Sequence, residues 1–265
     1  MRYGICIDTL YTELDFYDRI AAAAADGFDA VEFWDWRTRD LDRIRKCAQE
    51  AGILVSGFNG DADFSPIDPK HRELWLNEVA RSIDAAKHVG APSVTIHSNA
   101  LGEGGVVVDH YDALSDAVKL ASLFDALKEA ALLAEEADVQ LNLEGLNVHV
   151  DHVGNFLKDT RTAAELCALV GSDRLRILYD VYHMQIDEGN LIPTIERYAK
   201  YIGHVHIADV PGRHEPGTGE INYVNVLRAL KATGYKGVVG CELFPATDTK
   251  TAVGAILAMR DAVEG

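Results

Sequence analysis

A single TIM-type (β/α)8 barrel is the fold class that three features of this 265-residue α/β chain predict. Strand-like and helix-like segments alternate strictly, which is the grammar of a parallel sheet covered by helices, and eight such repeats are the number that closes a barrel. Several strand segments carry apolar residues on one parity and polar ones on the other, as in Val94 and Ile96 against Ser93, Thr95 and His97. No Pro/Ser-rich linker interrupts the pattern, so residues 1–265 read as one domain. An open, doubly wound sheet is the competitor. Against it, the first strand runs into Asp8-Thr9-Leu10 and not into a GxGxxG turn.

The first strand is expected at Tyr3 to Asp8. A helix follows over Glu13 to Asp26, where Ala21 to Ala25 form a packed interior flanked by charges and ended at Gly27. Strand 2 spans Ala30 to Trp34 and strand 3 Ile53 to Asn59, separated by the amphipathic stretch Asp40 to Ala51. Pro69 to Val89 and Tyr111 to Ala137 flank strand 4, Ser93 to His97. Strand 5, Val139 to Glu144, sets Val139, Leu141 and Leu143 against Gln140, Asn142 and Glu144. Strand 6, Leu175 to Asp180, lies between helices over Thr160 to Val170 and Leu191 to Tyr201. Strand 7, His204 to Ala208, places His204 and His206 on one face and breaks at Pro211-Gly212 and Pro216-Gly217-Thr218-Gly219. Tyr223 to Thr233, the strand Val238 to Glu242 and Thr249 to Val263 complete the repeats.

Composition excludes several function classes. With 25 basic and 42 acidic residues the net charge is -17, which repels phosphate backbones and anionic lipid surfaces. Nucleic acid and membrane are therefore not expected partners. Asp8 interrupts any signal-peptide run, and no apolar segment reaches membrane-spanning length. Cys6, Cys47, Cys167 and Cys241 form no CxxC pair, consistent with reduced thiols in a cytoplasmic protein.

In a barrel the last inward side chain of each strand faces the carboxyl-end mouth, where barrel enzymes place their chemistry. Those residues are Asp8, Trp34 with Glu32 below it, Asn59, His97, Glu144, Asp180, His206 and Glu242. Glu144, Asp180 and Glu242 at one opening would repel one another unless a cation joined them. With His206 they supply three negative charges and one imidazole, a donor set suited to one Mn²⁺, Mg²⁺ or Co²⁺ ion. His97 is a candidate additional donor or substrate contact, although a single strand-end histidine is more often a hydrogen-bonding support. Trp34 is a wall residue and, with Glu32, a candidate substrate contact.

The stretches LNLEGLN (141–147), YDVYHMQIDEGN (179–190), HVHIADVPGRHEPGTGEINY (204–223) and VGCE (239–242) closely resemble the hydroxypyruvate isomerase family within the xylose-isomerase-like barrel superfamily. The resemblance implies one divalent metal on Glu144, Asp180, His206 and Glu242. It also implies, by similarity to ketose 3-epimerases, that His183 and Arg213 hold substrate oxygens. His149 stands where related sequences often carry Arg, which makes it a candidate substrate contact. Two departures are visible: Glu144-Gly145 replaces the family's common Glu-Pro, and His206 stands where several hydroxypyruvate isomerases carry Gln and epimerases carry His. Family members often pair, so the resemblance also carries the expectation of a homo-oligomer.

The chemistry expected is isomerisation of a small-molecule sugar or keto acid through a metal-stabilised enediolate, with Glu144 and Glu242 exchanging the proton. A ketose 3-epimerase and a lyase or dehydratase are alternatives on the same site. Phosphodiester cleavage is opposed by Asn59 where such an enzyme wants His, by the missing Asp-x-His after strand 7, and by the charge. A non-catalytic partner subunit is opposed by the intact donor set and Arg213.

Overall fold

The computed structural model describes residues Met1–Gly265. Eight parallel strands form the sheet: β1 (Arg2–Cys6), β2 (Ala30–Glu32), β3 (Leu54–Gly57), β4 (Ser93–Ile96), β5 (Gln140–Glu144), β6 (Leu175–Asp180), β7 (Ile202–Ile207) and β8 (Val238–Cys241). Their spatial order is β3-β2-β1-β8-β7-β6-β5-β4. The two ends of that order meet at a parallel bridge between Asn59 and Thr95. There Thr95 N donates to Phe58 O at 2.9 Å and Gly60 N to Thr95 O at 2.6 Å. The sheet is thus rolled into a nearly closed barrel. Gly57 permits the close approach, since a Cβ there would stand 2.8 Å from Ser93 O.

The helices are α1 (Asp18–Ala25), α2 (Leu41–Ala51), α3 (Arg72–Val89), α4 (Asp116–Ala137), α5 (Thr160–Val170), α6 (Val181–Asp187), α7 (Leu191–Tyr198), α8 (Tyr223–Ala232) and α9 (Thr249–Glu264). The expectation of eight helices is corrected by α6, which follows β6 without a loop. Its start is fixed by Asp180, whose Oδ1 accepts from Tyr182 N at 2.7 Å and His183 N at 3.2 Å. Asp40, Ser115, Asp159, Asn222 and Asp248 cap α2, α4, α5, α8 and α9 in the same way.

The apolar strand parity lies under the helices. Val94, Ile96, Leu141, Leu143, Val205 and Ile207 are fully buried in a continuous cluster of 64 residues. Burial of side chains of this size contributes about 1.5 to 3 kcal/mol each. The polar parity is left to fill the barrel interior and reach its mouth. All four cysteines are free and three are buried. No helix is long and apolar enough to cross a membrane.

Candidate active site

Glu144 and Asp180 end β5 and β6, His206 is the penultimate residue of β7, and Glu242 directly follows β8. In the ladders Glu144 pairs with Leu178, two residues before Asp180, Asp180 pairs with His206, and His206 pairs with Gly240, two residues before Glu242, so all four side chains share the inward parity. All four are buried, and one donor atom from each lies within 4.8 Å of the others. Two of the inward-turned atoms, Glu144 Oε1 and His206 Nδ1, have no hydrogen-bond partner. Buried polar atoms are rarely left without a partner. Three carboxylates and an imidazole converging on a common point, two of them with an unpaired atom, fit a divalent cation.

The charges are uneven. Burial, only partly offset by Arg213 and reinforced by Glu144, pushes Asp180 up to about 7. Burial also disfavours ionised Glu242, but Arg213, His206 and Trp34 outweigh it and hold that carboxyl well below its usual range. The Arg213 Nη2 donates to Glu242 Oε2 and stands 3.9 Å from Asp180 Oδ2. Its guanidinium carbon lies 5.2 Å from the Tyr182 ring centroid. On the opposite side, Trp34 Nε1 donates to Glu242 Oε1. Trp34 is 37 % exposed and its ring centroid lies 6.3 Å from that of Phe244, so the two form an apolar rim at the mouth.

Arg213 owes its position to Asp209. The buried Asp209 carboxylate accepts from the backbone N–H groups of Val210, Gly217, Gly219 and Ile221 at 2.8 to 3.0 Å. Arg213 N donates to Asp209 O at 3.0 Å, and Arg213 itself has φ 57°. A side chain on Gly219 would collide with the Val210 carbonyl, so the loop closes only with glycine there.

His183, one turn into α6, is wholly buried, with Nε2 3.5 Å from Asp180 Oδ2. Asn147 Nδ2 lies 2.7 Å from His183 Nδ1 and acts as the donor, which leaves the ring proton on Nε2, facing the site. Burial first, then Arg213 and His152, hold this imidazole well below its ordinary pKa, so it is a neutral donor. His97 Nε2 stands 3.2 Å from Glu144 Oε2, and its Nδ1 stands 2.9 Å from Asp61 Oδ1. Burial opposes the imidazolium here, yet Asp61 and then Glu144 push His97 up to about 10.

A family model described as the xylose isomerase-like TIM barrel matches residues 20–261. The chain belongs to that family. It is 33% identical over 261 residues to the hydroxypyruvate isomerase of Escherichia coli K12, covering 94% of this chain and 96% of that one. Identity to the 2-oxo-tetronate isomerase of Cupriavidus necator is 30% over 261 residues, covering 96% of each. A crystal structure of an AP endonuclease, family 2, from Brucella melitensis superposes with a TM-score of 0.88 at 24% identity, covering 97% of this chain and 99% of that one. That likeness establishes the fold alone.

Within this xylose isomerase-like barrel, the structure brings Glu144, Asp180, His206, Glu242, His183, Arg213, His97 and Trp34 together. Two of the candidate substrate contacts lie away from the mouth. Glu32 lies one layer deeper than the mouth, against His204 and Ser56 in the interior. It borders a cavity of about 20 Å³ that also touches Ser93, Thr95 and His206, room for about one water. His149 is not in the site. Its side chain is 67% exposed and pairs with Asp187 at 3.4 Å on the outer surface. Asn147 Oδ1 accepts from Val150 N and Asp151 N, forming a turn that carries residue 149 outward. His152 lies inside instead, its ring centroid 5.1 Å from that of His183, with Nδ1 donating to Gly105 O at 2.6 Å.

Asp61, Asn147 and Asp209 are supports that strand parity could not find, because each acts from a loop. The nearest sequence signal was the glycine-rich break around residues 211–219, which Asp209 organises.

Proposed function

We propose that this protein is an isomerase acting on a short 2-oxo acid that carries a hydroxyl at C3, moving the carbonyl from C2 to C3. The observation that carries the reading is the pair Glu144 and Glu242, facing one buried donor cluster beside a fixed guanidinium and a neutral imidazole donor. The relatives named for hydroxypyruvate and 2-oxo-tetronate isomerisation support the substrate class. Glu144, Asp180, His206 and Glu242 would hold one divalent cation, which would supply Lewis-acid stabilisation to neighbouring carbonyl and hydroxyl oxygens.

The reaction removes the carbon-bound proton at C3 and delivers a proton to C2, while the hydroxyl proton passes from O3 to O2. One glutamate takes the first proton and the other supplies the second. Their surroundings differ. Glu242 is locked by two donors, the Trp34 indole and the Arg213 guanidinium, whereas Glu144 keeps Oε1 unpaired and Oε2 on His97. That asymmetry favours Glu144 as the abstracting base. In this reading Arg213 and the His183 Nε2–H would donate to substrate oxygens as negative charge develops on them. The Trp34 and Phe244 rim limits water at the mouth.

Proton NMR in D₂O with Mg²⁺-loaded enzyme tests this on hydroxypyruvate, 2-oxo-tetronate, pentuloses and hexuloses. Deuterium appearing in the isomerised keto acid at C2, and lost in Glu144→Gln, is the expected result. Exchange at C3 of a ketulose with inverted configuration would replace the isomerase by an epimerase, and β-elimination products would replace it by a lyase.

A further inference from the structure

Glu32 is a buried carboxylate that the reaction above leaves unused. It ends β2 and points into the barrel, where Oε2 accepts from His204 Nε2 at 2.9 Å and from Ser56 Oγ at 3.2 Å. Its Oε1 stands 3.0 Å from His206 Nε2. Taking a carboxylate out of water costs several kcal/mol unless it is paired. Here the His204 imidazole and the Ser56 hydroxyl, from strands on both sides of β1, donate to Oε2, while Oε1 has no hydrogen-bond partner and only the His206 ring at ion-pair distance.

The opposite nitrogen of His206 faces the donor cluster. His206 Nδ1 is 3.4 Å from Glu242 Oε2 and 3.8 Å from Glu144 Oε1, and it has no hydrogen-bond partner. An acceptor behind Nε2 keeps the ring proton on that atom and leaves the Nδ1 lone pair directed outward. Space for the acceptor comes from β8. Gly240 has the inward parity of Glu242, and a Cβ on it would collide with Glu32 Oε1. The VGCE stretch therefore combines a donor, Glu242, with a vacancy two residues earlier that the Glu32 carboxylate fills.

We propose that Glu32 is a positioning residue that holds His206 with Nδ1 toward Glu144, Asp180 and Glu242, and so sets the affinity of that cluster for a divalent cation. This rests on reading the four residues as a metal centre. His204 completes the support by donating to the same carboxylate, so Glu32 is held between two rings and does not turn toward the mouth.

Mn²⁺ titrations followed by the EPR signal of the free ion measure the effect without reference to turnover. The parent binds Mn²⁺, and Glu32→Gln, which keeps the shape but removes the charge, lowers affinity about 10- to 100-fold. Gly240→Ala, which retains Glu32 but displaces it, shifts affinity in the same direction. A folded Glu32→Gln protein that binds Mn²⁺ as tightly as the parent would overturn the positioning role. A parent that binds no Mn²⁺ would remove the metal centre itself, a separate failure. Long-range ¹H–¹⁵N correlation spectra of the unaltered, Zn²⁺-loaded protein decide the matter if the variants do not fold. A proton on His206 Nε2 is expected, and a proton on Nδ1 would overturn the assignment.

Discussion

Asp209→Asn should loosen the loop that aims Arg213. Each carboxylate oxygen of Asp209 accepts two backbone N–H groups, Oδ1 from Val210 and Ile221 and Oδ2 from Gly217 and Gly219. Asparagine retains one oxygen and turns an NH₂ toward the other pair, so two of the four donors lose their acceptor. Each orphaned donor costs about 1 to 3 kcal/mol, and partial relaxation toward water places the sum at about 2 to 4 kcal/mol. The loop lies outside the strands and can open without unfolding the barrel, so the loss falls on local opening. It should accelerate amide exchange at Gly217 and Gly219 by roughly 30- to 700-fold, one factor of ten per 1.4 kcal/mol, while strand amides remain protected. Hydrogen exchange followed by NMR or mass spectrometry over residues 209–222 makes the measurement. The kcat/KM for the keto acid should fall in parallel, because Arg213 N is bonded to the Asp209 carbonyl in the same loop. Unchanged exchange at both glycines would refute the view that this carboxylate holds the loop.

Chelation with EDTA should abolish turnover and lower the melting temperature. A ligand at one hundred times its Kd contributes about 2.7 kcal/mol, which corresponds to roughly 5 to 10 °C for a chain of this size. Calorimetry showing no shift would mean that the four donors hold no cation. Trp34→Phe keeps the aromatic rim but removes the indole donor from Glu242, and loss of a hydrogen bond to a charged group should lower kcat/KM about tenfold. Steady-state kinetics giving parent values would show that this contact does not tune Glu242. His149→Ala should leave kcat/KM unchanged, as expected of a side chain that is 67% exposed outside the site; a large kinetic loss would return residue 149 to the site.

The barrel and its donor cluster were legible because both depend on strand periodicity. Once Val205 and Ile207 are read as facing the helices, His206 must face inward, and the same parity places Glu144, Asp180 and Glu242 at the mouth. Glu32 obeys the rule too, and the two-residue step from Trp34 puts it a layer down, as its position below Trp34 in the sequence implied. Parity has no meaning in a turn, which is why the sequence did not show that His149 points outward and His152 inward: the Asn147 side chain sets the local path of the chain there. The short helix α6 was hidden by its length, seven residues that a capping carboxylate starts. Asp61 lies 36 positions from His97, which it holds with both carboxylate oxygens, and no short-range pattern reports a contact of that span.

The seam between β3 and β4 has a mechanical meaning. Every other pair of neighbouring strands shares a ladder, whereas this pair is fastened at Asn59 and Thr95. The barrel therefore behaves less like a hoop than like a cuff with a clasp. Strain applied around its circumference will concentrate at the clasp, because the fewest hydrogen bonds resist it there. The four proposed ligands hang from the ends of β5 to β8, inside the unbroken band, so their spacing is set by the fabric of the cuff and not by its fastening, whereas Asp61, which holds His97, follows the clasp directly. A change that loosened the seam would reach the backbone of Thr95 and Gly60 first and would leave the spacing of the donors on β5 to β8 to the ladders that join those strands.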